Sequence, residues 1–285
     1  MDIIRLDPFQ GVAANGRATL VTDQLDGMSV HGIMLQRGNG GGAGFTATHM
    51  TNIVMRAMQK DLLNTITGPQ LQDINDYDGL PSVTDFIAHF FGDPLARTVR
   101  GQHMGDLDFS VHKGKFEMRV DIAAAAVAPT LSALAIVGPP KKSMGIGLTD
   151  AEALMVRALI FSQVNEGAAV NRKAEQIGLG SGAGARIRKL CLFHTNLTRV
   201  EYKKQGIVKH EDLTDAENDA YQQQFGRVPQ AGLYVVDRIV DGNQGEADDT
   251  LRPDGQPWNL QVLMTTSAAD TISNFADVHT MPQLL

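Results

Sequence analysis

The chain has 285 residues, a net charge of −7 and an apolar fraction of 43 %, enough for one large domain or two of roughly 140 residues. Its acidity argues against a coat held to nucleic acid by clustered Lys and Arg. No apolar run approaches the roughly 18 residues of a spanning helix, and the N-terminal MDIIRLDPFQ lacks the basic start and apolar middle of a signal peptide.

In chain order, 29 glycines and 11 prolines cut the sequence into short segments, which suits many strands joined by turns. Thr67-Gly-Pro-Gln70 has the spacing of a capping box, with an early Pro and a stop at Gly79. Leu107, Phe109 and Val111 alternate with polar residues, as do Phe116, Met118, Val120 and Ile122. The period of two predicts half-buried strands joined by a hairpin turn at Gly114. Pro139-Pro140 reads as a stiff break. Thr149-Asp-Ala-Glu152 predicts a second helix, with Leu154, Met155 and Leu159 on one face. Thr214-Asp-Ala-Glu217 predicts a third, stopping at Gly226. Trp258, Leu260, Val262 and Met264 repeat the strand spacing, which sends Trp258 inward to the core. The single cysteine, Cys191 in RKLCLFH, makes no internal disulfide; its apolar neighbours mark a buried thiol folded in a reducing compartment.

Words recur in the same order in the two halves. GVAANGRAT (11–19) resembles GAAVNRKAE (167–175), the cap at Thr67 resembles that at Thr214, and FEMRVDIAAAAVAPTLSALA (116–135) resembles WNLQVLMTTSAADTISNFADV (258–278). Val120 then matches Val262, and Ser132 matches Ser273. Duplication predicts a mainly β chain of two tandem eight-stranded jelly-roll sandwiches with short inserted helices. The expected boundaries are 1–138 for the first, 139–160 for a linker with a short helix, and 161–285 for the second.

These residues carry a resemblance. VAANGRATL, NIVMRAMQKDLLNTITGPQLQDINDYDG and above all FEMRVDIAAAAVAPTLSALA are similar to the major capsid proteins of corticovirus-type phages, the membrane-containing icosahedral bacteriophages. ARIRKLCLFH, TRVEYKKQG and DLTDAENDAYQQQFG follow that family's order in the second half. The chain departs from it at TDAEALMVRALIF and at the glycine loop GLGSGAGAR. The resemblance implies a double jelly-roll subunit, in trimers that tile an icosahedral shell over an internal membrane. Its partners would be itself, neighbouring capsomers, other virion proteins such as a vertex protein, and the lipid surface, without direct nucleic-acid contact. It would be made in the host cytoplasm and reside in the virion. Three copies of two similar sandwiches present six similar edges, so such a trimer can occupy a hexagonal lattice site.

Enzymatic signatures are missing from the sequence. GLGSGAGAR (178–186) leads into a strand rather than a helix and carries no Gly-Lys-Ser/Thr, so it reads as a loop, as does GNGGGAGF (38–45). The eight histidines show neither H-x-H nor H-E-x-x-H and read as surface or packed residues. In DGNQGEADDTLRPDG, Asp241, Glu246, Asp248 and Asp249 could supply oxygen ligands to a hard cation such as calcium, which suits the resemblance, but their spacing is not that of an EF-hand and the stretch also reads as a plain solvated loop. No cofactor is expected. Lys141 and Lys142 are the only short basic cluster near a loop that could meet anionic headgroups. The alternative function, a jelly-roll glycan-binding protein or carbohydrate-active enzyme, would need aromatic platforms, yet aromatics make up 6 % with one Trp. Val120→Asp and Val262→Asp are each expected to wreck one half's core.

Overall fold

The computed structural model describes residues 1–38, 44–80, 83–167, 170–175 (backbone only) and 184–281. Among them, sixteen strands of four residues or more carry the architecture. The first eight are β1 (Asp2–Arg5), β2 (Arg17–Thr22), β3 (Ser29–Gly38), β4 (Met50–Ala57), β5 (Lys60–Ile66), β6 (Phe86–Phe90), β7 (Phe116–Ile122) and β8 (Thr130–Gly138). The second eight are β9 (Val156–Glu166), β10 (Val170–Glu175), β11 (Arg186–Phe193), β12 (Leu197–Lys204), β13 (Ile207–Thr214), β14 (Leu233–Asp237), β15 (Leu260–Thr266) and β16 (Asp270–Thr280). The helices are α1 (Gly68–Tyr77), α2 (Val99–His103), α3 (Asp150–Leu154) and α4 (Asp215–Gln223).

One half of the chain predicts the wiring of the other. The first sandwich pairs a sheet in the order β1-β8-β3-β6 with one in the order β2-β7-β4-β5. The second has β9-β16-β11-β14 and β10-β15-β12-β13. Adding eight to each label of the first sandwich yields the second, and each set of eight has the jelly-roll order. The repeated words fall on equivalent elements. GVAANGRAT runs into β2, and residues 170–175 of GAAVNRKAE are β10. Val120 and Val262 lie in β7 and β15, Ser132 and Ser273 in β8 and β16. Thr67 and Thr214 cap helices inserted between the fifth and sixth strands of their sandwich, each by a completed reciprocal capping box. The stretch before each helix is a hairpin, β4–β5 or β12–β13, turning through two positive-φ residues: Met58 and Gln59, or Gln205 and Gly206.

The two sandwiches share a sheet. Strands β5 and β9 pair in parallel at Leu63 and Leu159, giving one continuous order, β14-β11-β16-β9-β5-β4-β7-β2. One core fills the first sandwich and spreads onto the back of the second through Leu159, Cys191, Leu233, Val235 and Phe275. A separate core, with Leu190, Tyr202, Tyr234, Val262 and Met264, fills the second.

Several expectations are corrected. Residues 107–111 form no hairpin strand: only Leu107–Asp108 pairs, with Ser29–Val30 of β3. Asp106 and Asp108 are fully buried rather than outward. The Asp108 carboxylate accepts from Ser110 N at 2.9 Å and Lys141 N at 2.8 Å, which curls the chain into a turn. The capping box at Thr149 forms, but α3 stops at Leu154. Met155 closes the helix, and Leu159 is a strand residue because Val156–Glu166 pairs along its whole length with β16. Residues 156–160, expected in the linker, are thus already sheet. Helix α2 was not expected; it lacks a full capping box, and Thr98 alone caps Gly101 N. Trp258 is half-buried just before β15, between the cations of Lys204 at 5.0 Å and Arg252 at 5.3 Å from its ring. It is neither core nor an open sugar platform. Most of both glycine loops, 39–43 and 178–183, lies outside the described residues.

Candidate functional site

The outward face of the second sandwich's β9-β16-β11-β14 sheet meets the first sandwich, and that face is divided. At one end it is apolar, with Leu159, Phe275, Cys191 and Val235 joining the first core. At the other end the same four strands present Arg157, Asp277, Lys189 and Asp237. Period two places each of these charges on the same side as its apolar strand-mate. Arg188 joins them because β11 bulges between Ile187 and Lys189, turning an extra residue to this face.

The charged end is a closed ionic joint. Arg157 donates Nε to Asp277 Oδ1 and Nη2 to Oδ2, both at 2.9 Å, and Nη1 to the Phe90 carbonyl at 2.8 Å. Arg188 reaches both Asp277 oxygens at 3.0 Å and Asp93 at 2.5 Å. Lys189 pairs with Asp78, and Arg227 lies 3.3 Å from Asp78 and 3.0 Å from Asp237. Tyr77 donates its hydroxyl to Asp237 at 3.1 Å, and Gln244 bridges Arg188 and Asp93. Four cations (Arg157, Arg188, Lys189, Arg227) face four carboxylates (Asp78, Asp93, Asp237, Asp277). The second sandwich alone supplies four positive and two negative charges; the first adds the missing two as Asp78 and Asp93. Charge balance is reached only when the sandwiches meet in this register.

The electrostatics follow from this packing. Burial by itself would raise the Asp277 carboxyl, but Arg157, Arg188 and Lys189 outweigh it and hold the group well below the ordinary carboxylate range. Asp93 is held low in the same way by Arg188, Lys189 and Arg157. Burial and the neighbouring arginines push His89 down to about 3 and His279 well below its ordinary value, so both imidazoles stay neutral. None of the joint's charges was singled out from the sequence. The signal was present in RIRKLCLF and NFADVH, where charges interrupt otherwise apolar strands.

The candidates chosen from the sequence lie elsewhere. Asp241, Glu246, Asp248 and Asp249 do not converge on one point. Asp241 pairs with Arg97 at 3.4 Å, Asp249 with Arg186 at 3.1 Å, and Asp248 with Arg238 at 2.8 Å and Lys204 at 3.4 Å. Glu246 accepts from Asn243 Nδ2 at 3.4 Å. Lys141 is unavailable to a lipid surface: it is 1 % exposed, with Nζ donating to the carbonyls of Met155 at 2.6 Å and Met104 at 3.1 Å. Lys142 is exposed and pairs with Asp150 at 2.8 Å. Cys191 is buried, and burial pushes its thiol up.

Two jelly rolls of one strand order, locked side by side through a shared sheet and a neutralised joint, define a double jelly-roll protein. The viral coat protein P2 N-terminal domain family matches residues 3–138, and the corresponding C-terminal domain family matches residues 162–281. The chain belongs to the viral coat protein P2 family. Major capsid protein P2 of Pseudoalteromonas phage PM2 is 29 % identical over 127 residues, which cover 45 % of this chain and 42 % of that protein. The crystal structure of the P2 major capsid protein of bacteriophage PM2 matches with a TM-score of 0.76 at 19 % identity, over 98 % of this chain and 97 % of that one. A chain in the atomic structure of Sulfolobus Turreted Icosahedral Virus matches with a TM-score of 0.65 at 12 % identity, over 99 % of this chain and 91 % of that one. At these identities the structural likeness speaks for the fold. Membership of a coat protein family agrees with the expected structural, non-catalytic role.

Proposed function

We propose that the chain is the major capsid subunit of an icosahedral phage and works as a homotrimer, each trimer filling a near-hexagonal place in a shell over an internal membrane. The supporting observation is the side-by-side pairing of two sandwiches with one strand order, joined through a shared sheet. A trimer then offers six similar corners only if the angle within each subunit is fixed, and the ionic joint fixes it. We take 1–138 and 156–281 as the two sandwiches and 139–155 as the link. That link is held rather than free, since Lys141 is anchored through both its backbone N–H and its Nζ. Strands β1, β2, β6, β10, β13 and β14 end their sheets, and neighbouring copies would cover such edges. Exposed Ile3 on β1, Val21 on β2 and Ile207 on β13 fit the same use. Neighbouring capsomers, a vertex protein and the lipid surface complete the partner set, with synthesis in the host cytoplasm and residence in the virion.

Light scattering of the purified chain, with electron microscopy of concentrated samples across ionic conditions including calcium, tests this reading. The expected result is a mass of three chains and six-cornered particles or hexagonal sheets. A species that stays monomeric throughout refutes it.

A further inference from the structure

We propose that His31, His103 and Asp106 form a binding site for one divalent transition-metal ion of the zinc type. His31 comes from β3, His103 ends α2, and Asp106 precedes the Leu107–Asp108 strand that pairs with β3. Their ligand atoms all lie within 4.8 Å of one another. His31 Nδ1 is 2.5 Å from Asp106 Oδ2, His103 Nδ1 is 2.8 Å from the same oxygen, and the two ring nitrogens are 3.1 Å apart.

Hydrogen bonding satisfies two sides of this triangle and leaves the third, between the two ring nitrogens, without an attraction. With the carboxylate ionised, no distribution of protons makes all three contacts attractive. A proton on each ring lets both N–H groups donate to the one carboxylate oxygen, and the 3.1 Å approach of the two nitrogens is then a close donor–donor contact. A proton on one ring leaves the other presenting a lone pair to a carboxylate oxygen. A cation between the three atoms makes every contact favourable. Zinc–ligand bonds of about 2.0–2.1 Å at tetrahedral angles separate donors by roughly 3.3 Å, so the donors need to spread by only a few tenths of an ångström to several tenths.

A second observation points the same way. Asp106 is fully buried, yet its Oδ1 has no hydrogen-bond partner. Gly92 lies against that oxygen so closely that a Cβ there would come within 2.5 Å of it. An ion explains why a carboxylate is buried with one oxygen idle, since the metal supplies the compensating charge. Two imidazoles and one carboxylate suit zinc and not calcium, which takes six to eight oxygens. The His103 side chain is 12 % exposed, which leaves a path for the ion and a place for water as fourth ligand. The ion would staple α2 to β3 beside the link that Lys141 anchors.

Tag-free full-length protein, stripped with EDTA, is titrated with zinc chloride, gel-filtered and measured for metal content, melting temperature and zinc X-ray absorption. One zinc per chain, two imidazole nitrogens in the first shell, and a melting temperature raised by about 5 °C at a hundredfold excess over Kd are expected. His103→Gln should lose the retained zinc and the thermal shift, whereas His49→Gln, whose ring bonds to Thr46 away from this cluster, should keep both. Failure of the wild-type chain to retain zinc overturns the proposal, as does full retention by His103→Gln. If His103→Gln does not fold, the absorption spectrum of the wild-type protein decides: fewer than two imidazoles around the zinc overturns the assignment.

Discussion

Asp277→Asn is the sharpest probe of the joint. The wild-type carboxylate accepts four charged hydrogen bonds between 2.9 and 3.0 Å from Arg157 and Arg188, with Lys189 at 4.0 Å. The amide keeps the shape but offers one acceptor oxygen, and its NH2 must face a guanidinium. Four cations then face three carboxylates, leaving one positive charge buried without compensation. Breaking a buried pair from one side costs about 3–5 kcal/mol. For a chain of this size that lowers the melting temperature by roughly 5–9 °C. The assay is thermal and urea unfolding of Asp277→Asn, Arg188→Met and the double variant. The double variant removes one charge of each sign, so it should be less destabilised than the sum of the singles by at least about 1 kcal/mol. Asp121→Asn, which removes the exposed pair with Arg17, is the control and should cost at most about 1 kcal/mol. A loss under about 1 kcal/mol in Asp277→Asn, or strict additivity, refutes the claim that charge balance holds the sandwiches together.

Two further outcomes follow from the same packing. Val120→Asp and Val262→Asp place a carboxylate at fully buried positions in separate cores, and each should cost several kcal/mol by unfolding in urea; a variant that melts like wild type shows the strand placement to be wrong. Burial lowers the Lys141 amine to about 8 from its ordinary 10.5. Below pH 8 both folded and unfolded chains hold the proton. Between about 8 and 10.5 the folded chain sheds it first, the unfolded chain binds more protons, and stability gains up to about 3 kcal/mol as pH rises. Lys141→Met should lose that increment relative to wild type in urea titrations at pH 7.5 and 10, and equal slopes in the two proteins would contradict it.

Local order was legible because it is written in neighbours. Phe116–Ile122 alternates in burial as its period of two requires, and the capping boxes at Thr67, Thr149 and Thr214 all close. The repeated words located equivalent strands in the two halves because duplication preserves order along the chain. Where the pattern misled, a side chain had a distant partner: Asp108 reads as outward in an alternating run but binds Lys141 N.

The sequence by itself determined that there are two sandwiches, where each inserts its helix, and which face of most strands meets its own core. Only the tertiary structure decided what covers the other face. Period two marks Arg157, Lys189 and Asp277 as pointing away from the second core, which for a lone sandwich means water. The first sandwich lies against that face instead, and it supplies Asp78 and Asp93 from turns far away in the chain. The same holds for His31 and His103, separated by 72 residues and brought to one carboxylate. Alternation records inside against outside for a single sheet; it carries no information about which remote surface the outside will meet.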